Sequence, residues 1–349
     1  MTWQSDNRLP GSERAAGNRS PNKAAILLYH RVVELPSDPQ VLCVTPSHFA
    51  EHLELLRKKF NVMSLVQLIR AMDNGVIPPR SVVLTFDDGY ADNLNNAKPM
   101  LDGHGIAATV FVSGGSLGSK RELWWDDLER LLLQPTALPR TLHQIVGGRP
   151  YEWCLGDTAA CDAGALQRSR GWNVLDKADP TPRHEAYRAL CTLLRPLRAA
   201  QQRRILNGIS KWAGVRAEGR PTHRCLTAAE LRQLADGGRI DVGSHTLTHP
   251  VLSALPASKQ RDEVRKSKEK LETILGLPVT SFSYPYGQRS DYSAATVDFV
   301  RGAGFACACS NFFGFVRADS DRFQLPRMIV RDWDGEAFAQ RLSQWWSHG

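Results

Sequence analysis

The apolar positions fall into two alternating rhythms along the chain. Short continuous runs at residues 24–29, 81–86, 107–112 and 239–243 have the length of buried strands. Between them the spacing turns helical. Thr45 can cap a helix, Pro46 suits its first position, and Phe49, Leu53, Leu55 and Leu56 lie near one face. A second helix is predicted from Ser64 to the Asp73-Asn74-Gly75 stop, and helix-like spacing returns at 93–101. Thr227 caps a further helix that ends at Gly237-Gly238. A long charged helix follows at 257–275, stopped by Gly276 with Pro278 beyond. A strand at 281–284, a helix at 293–301, a strand at 305–310 and a helix at 335–346 complete the series. Such alternation predicts an α/β fold with a mostly parallel sheet, open or closed as a barrel.

The rhythm breaks between residues 121 and 224. Leu123-Trp124-Trp125, Pro135, Pro139, Gly147-Gly148 and a helix-like run at 186–197 predict a mostly helical insertion between two barrel strands. Residues 1–23 contain no apolar run and read as a disordered tail without a secretory signal, which leaves 24–349 as a single domain. No apolar stretch approaches the ~18 residues that span a bilayer. A cytoplasmic protein is expected.

Composition refines this picture. Hydrophobic residues make up 42% and charged residues 23%, the balance of an ordinary globular chain. The formal charge of +8 is a moderate excess: it is compatible with anionic partners such as phosphorylated carriers, nucleotide sugars or a membrane surface, and much of it reads as solvated surface. No basic run interleaves with aromatics, so nucleic acid is not expected as a partner. The seven cysteines are odd in number and form no C-x-x-C pair, which argues against a disulfide framework. Cys307 and Cys309 are expected to be buried free thiols on one face of a strand.

Two short patterns carry chemistry. His245 and His249 are four apart, a spacing that on a helical turn places both imidazoles on one side. Two imidazoles and a carboxylate form a ligand set for zinc or another borderline metal. Asp87 and Asp88 are adjacent carboxylates, which repel unless a cation or different roles separate them. Alone, each pair reads more simply as surface histidines or an exposed Asp-Gly turn. Their common placement reverses this. TFDDG, GSHTLTH and SYPYG each finish a strand-like run, and in α/β folds the reactive residues gather at the carboxyl ends of strands.

Thr85-Phe86-Asp87-Asp88-Gly89-Tyr90 resembles the first motif of the polysaccharide deacetylase family, also known as carbohydrate esterase family 4 or the NodB-homology domain. Ser244-His245-Thr246-Leu247-Thr248-His249-Pro250 resembles the second, and Ser283-Tyr284-Pro285-Tyr286-Gly287 the third. The resemblance covers residues 26–119 and 225–330. It implies a distorted (β/α) barrel and a metal-dependent hydrolase that removes an acetyl group from an N-acetylated sugar. Asp88, His245 and His249 then resemble the ligands of one divalent metal, zinc first, with cobalt, nickel or iron as alternatives. Asp87 resembles the base that activates a metal-bound water. The backbone N–H of Tyr286, following Pro285, resembles the oxyanion donor. The implied substrates are an acetylated sugar, a nucleotide sugar, a lipid-linked glycan or a glycosylated small molecule.

Two departures stand out. The Arg that usually precedes the Pro-Tyr pair is replaced by Ser283-Tyr284, and the late His that usually protonates the leaving amine has no counterpart in Leu325-Pro326-Arg327-Met328-Ile329-Val330. His30, in a Tyr29-His30-Arg31 run at the end of the first strand, is the candidate acid, with Asp332 and Asp334 as weaker orienting groups. The same run is familiar in a subgroup of the family linked to surface-polysaccharide assembly. These departures leave open a hydrolase of a formyl or cyclic amide on a small non-sugar molecule, and, more remotely, a non-catalytic carbohydrate-binding protein. For Trp124 and Trp125, core packing is expected over stacking on a sugar.

Overall fold

The computed structural model describes residues 22–348, so the tail predicted over 1–23 lies almost wholly outside the described residues. Seven strands carry the architecture: β1 Ala24–Tyr29, β2 Ser81–Phe86, β3 Ala108–Val112, β4 Ile240–Ser244, β5 Ser281–Ser283, β6 Cys307–Cys309 and β7 Met328–Ile329. They lie in the order β6-β5-β4-β3-β2-β1-β7, every neighbouring pair parallel. A short eighth strand, Asn61–Val62, pairs with the start of β2.

The sheet curls until its edges meet. Ser310 N–H donates to the Leu325 carbonyl at 2.8 Å and Leu325 N–H to Ala308 at 2.9 Å, so the chain before β7 is bonded to β6. Three residues later Met328 pairs with Leu27 of β1. One segment thus bridges both edges and closes the distorted (β/α) barrel.

Strands in such a sheet are buried on both faces, which explains why their sequences are continuous apolar runs. Ile26, Val83, Phe111, Cys307 and Cys309 point inward and pack with helix Leu65–Asp73. Leu27, Leu84, Val110, Val242 and Phe282 point outward beneath the surrounding helices. Both cysteines are free and buried, as expected. The helix starts follow their sequence signals. Thr45 accepts from His48 N–H with Pro46 at the first position, and Ser64 and Thr227 each form a capping box, with Gln67 and Glu230. The segment after β2 departs from the expected helix: residues Asn93–Ala97 form a wide π-type turn before helix Lys98–His104.

The insertion builds a second apolar core from helices Trp124–Leu132, Pro182–Leu194 and Ala199–Ala213. It also contains an antiparallel hairpin, Thr141–Val146 with Arg149–Cys154, where a mostly helical segment was expected. The physical reason lies at Gly147 and Gly148. Their φ values of 59° and 81° are those a tight hairpin turn demands and glycine supplies. Among the described residues, no helix is long and apolar enough to cross a membrane.

Candidate metal centre and active site

β2 delivers Asp87 and Asp88 to the rim. Asp87 N–H still continues the sheet, donating to Tyr29 O at 3.1 Å. Asp88 then adopts φ 73° and Gly89 φ 75°. A non-glycine residue in this left-handed region is held there by its surroundings at a cost. The turn separates the two carboxylates. Asp88 Oδ1 lies 3.2 Å from His249 Nε2 and 3.7 Å from His245 Nε2, while Asp87 faces Arg327.

The two histidines follow β4, but not on a helical turn. Residues 245–250 form a loop, in which Thr246 and His249 have φ of 63° and 56°. Side chains fold the loop: Thr246 Oγ1 accepts from His249 N–H at 3.0 Å. The Glu263 carboxylate accepts from Leu247 N–H, Thr248 N–H and Thr248 Oγ1 at 2.9, 2.7 and 2.7 Å. The imidazoles therefore meet through a pinned loop, with ring centroids 4.9 Å apart.

The donor set fits a metal. One ligand atom each from Asp88, His245 and His249 lies within 4.8 Å of the others, and all three residues are buried. His245 Nδ1–H donates to the Ser283 carbonyl at 2.7 Å, which fixes the tautomer. Its Nε2 is then a lone pair aimed at a carboxylate, an arrangement that a shared cation resolves. Burial, reinforced by His249 and opposed by both aspartates, pushes the His245 pKa down to about 4, so the imidazole is neutral and able to ligate.

The polysaccharide deacetylase family model matches residues 74–138 and 200–307. The chain belongs to this family. YxkH of Bacillus subtilis (strain 168), which carries the family's name, is 30% identical over 113 residues, or 32% of this chain and 39% of that relative. The chain therefore aligns with well under half the length of that curated relative. Among solved structures, the Streptococcus pyogenes deacetylase PplD in complex with acetate is 18% identical with a TM-score of 0.56, covering 92% of this chain and 98% of that one. IcaB from Ammonifex degensii is 16% identical with a TM-score of 0.56, covering 93% and 97%. These likenesses concern the fold.

Ser283 stands where polysaccharide deacetylases usually carry an arginine before the Pro-Tyr pair, and an arginine from elsewhere in the chain meets it. Arg327, 1% exposed, reaches in from the closing segment and clamps Asp87 with two bonds, Nη1 to Oδ1 at 2.8 Å and Nη2 to Oδ2 at 2.6 Å. Ser283, in the place of the missing arginine, receives Arg327 Nη2 at 2.8 Å and donates to Asp87 at 3.3 Å. Burial alone would raise the Asp87 pKa; the Arg327 charge and hydrogen bonds outweigh it and hold the carboxyl well below its ordinary range. Nothing local in the sequence singles out Arg327 as the partner of Asp87, although Leu325–Val330 is the stretch that corresponds to the family's late motif. Its partner is 240 residues away. An arginine inside a strand-like apolar run was the available signal.

His30 is buried at the end of β1, and its pKa is lowered, by burial first, against the opposing charges of Asp88 and Asp87. Tyr286, after Pro285, has φ 62° and packs its ring edge-on against His249 at 4.8 Å. Gly287 is required beside it, because a Cβ there would lie 2.7 Å from Asn311 N. Asp332 and Asp334 are not brought to the site. Asp332 accepts from Thr45 and bonds His48, and Asp334 caps the last helix through Ala337 N–H.

Trp124 and Trp125 are packed, yet they wall the site. Trp124 Nε1–H donates to Tyr286 Oη at 3.1 Å and Trp125 Nε1–H to Tyr90 Oη at 2.9 Å. Trp125 lies edge-on to His249, with ring centroids 5.1 Å apart. The insertion thus touches the family's first, second and third motifs.

Proposed function

We propose that the protein hydrolyses the acetyl group of an N-acetylated sugar or glycoconjugate. The observation that carries this is the grouping of Asp88 with His249 and a neutral, lone-pair-presenting His245, beside an ionised Asp87 clamped by Arg327. Asp88, His245 and His249 would hold one divalent ion, zinc first, with cobalt, nickel or iron able to take the same donors. Such an ion, when bound, supplies Lewis acidity at the acetyl carbonyl and lowers the proton affinity of water.

The chain's own groups complete the reaction. Asp87 takes the proton from the attacking water as its oxygen bonds to the acetyl carbon. Arg327 keeps that carboxylate ionised and oriented before the proton arrives. The backbone N–H of Tyr286, held in place by Pro285 and the turn at Gly287, donates to the developing oxyanion. His30, neutral in its buried setting, passes its N–H proton to the leaving nitrogen as the C–N bond breaks and recovers one from the protonated Asp87, releasing acetate and a free amine.

The test is acetate release from a panel of N-acetylated sugars by protein of measured metal content. Metal-loaded protein should release acetate, chelated protein should not, and Asp87→Asn should lower kcat by roughly 10²–10⁴-fold while retaining the metal. A fully metallated protein silent across the panel would overturn the reading.

A further inference from the structure

Beside His249 opens a cleft of about 130 Å³, walled by Thr248, Trp124 and Trp125 and by helix Ala199–Ala213 of the insertion. Arg121 and Arg203 also line it. Their charges are not equally matched. Asp127, fully buried, accepts Arg121 on Oδ2 and Arg130 on Oδ1. Arg121 Nη1 is further engaged by Asn207 Oδ1 at 2.9 Å, and Arg130 lies 3.5 Å from a second carboxylate, Glu122.

Arg203 is the cation left over. Its Nη1 lies 3.9 Å from Asp127 Oδ2, beyond hydrogen-bond reach, and this atom is buried without a partner. The side chain as a whole remains 43% exposed. Burial first, and then the neighbouring Arg121 charge, push the Arg203 pKa down, which marks an under-compensated guanidinium. Nη1 is sealed off, but the exposed part of this planar guanidinium lines the cleft and matches an anionic group that can accept two bonds at once.

We infer that this cleft receives a phosphate or phosphodiester group carried by the acetylated sugar, with Arg203 as its counter-ion. The inference rests on the deacetylase reading and narrows its substrate class to phosphorylated glycosides. The same chemistry would come from a free sugar phosphate or a nucleotide diphosphate sugar.

Binding separates the inference from the reading beneath it. Calorimetric titration of the Asp87→Asn full chain, which suppresses turnover, compares N-acetylglucosamine 1-phosphate, UDP-N-acetylglucosamine and neutral N-acetylglucosamine. At least one phosphorylated ligand should bind about tenfold tighter than the neutral sugar or better, a gap of ~1.4 kcal/mol. The gap should persist in chelated protein, which excludes phosphate ligation of a metal as its source. Adding Arg203→Gln should close the gap without changing neutral-sugar binding, and Arg203→Lys should retain part of it. Which phosphorylated ligand binds better distinguishes the two sources. Equal affinities, a preference that survives Arg203→Gln, or no detectable binding of either phosphorylated sugar would overturn the inference. Failure of the wild-type, metal-loaded chain to release acetate would instead count against the deacetylase reading and leave the binding ratio intact.

Discussion

Asp87 and Asp88 both come within 4 Å of His245 Nε2, yet their partners differ: one is bonded to a guanidinium, the other grouped with two imidazoles. The left-handed turn at Asp88 and Gly89 makes that division, and Arg327 makes it matter for acidity. Arg327→Lys keeps the charge and loses the two-pronged clamp. The Asp87 pKa should then rise, and kcat should fall roughly tenfold at unchanged metal content, because a lysine cannot reproduce the two-pronged hold that orients the carboxylate. An unchanged kcat would show that Arg327 does not position Asp87. A second residue governs stability. His52 is fully buried, its Nε2–H donates to Trp333 O at 2.7 Å and its Nδ1 accepts from Tyr29 Oη at 3.3 Å. The bond accepted from Tyr29 needs the neutral ring, whereas the Trp333 carbonyl accepts from either form; burial outweighs that carbonyl and lowers the pKa to about 4. A depressed folded pKa gives stability that is whole above the unfolded value of about 6.5 and lost as pH falls toward 4. From pH 7 to pH 5 this group should cost about 2 kcal/mol in urea unfolding. His52→Gln should flatten that part of the slope.

At the scale of elements, the loop after β4 does what a helical turn was expected to do. The HTLTH spacing makes a metal pair legible, but not the means of forming it, because Glu263 lies 15 to 16 residues on, in the following helix, beyond the reach of local periodicity. Glu263→Gln should loosen the loop and weaken metal affinity by roughly 10–100-fold, the range seen for outer-shell partners. Isothermal titration of zinc against the chelated protein measures it, and unchanged affinity would place the loop's rigidity elsewhere. The strands were legible for a different reason. Burial on both faces writes itself as an unbroken apolar run, as in Ala24–Tyr29, and each run ended on a rim residue. The hairpin at Thr141–Cys154 was not legible, since most of its positions outside Leu142 and Val146 are at least partly exposed and its alternation is weak. Only Gly147-Gly148 announced it. Arg327 was hidden because an ion pair across 240 residues leaves no local pattern.

For the whole molecule, the ligands come from β2 and β4, which lie on either side of β3 in the sheet. An ion held by both should resist their separation. With free zinc at 100 times its dissociation constant, the folded state should gain ~2.7 kcal/mol. Thermal melts with and without chelator should show the shift, and Asp88→Asn should abolish it. A midpoint indifferent to zinc would argue that the three donors do not act together.

The segment that bridges β6 and β1 carries Arg327 near its centre. Completion of the barrel and clamping of Asp87 are therefore one event. A chain emerging from the ribosome has all its metal donors by His249, but no clamp on Asp87 until the last strand has been made and has found both edges. A frayed seam would therefore free Asp87 from its clamp while the Asp88, His245 and His249 donors, all made earlier in the chain, stay together.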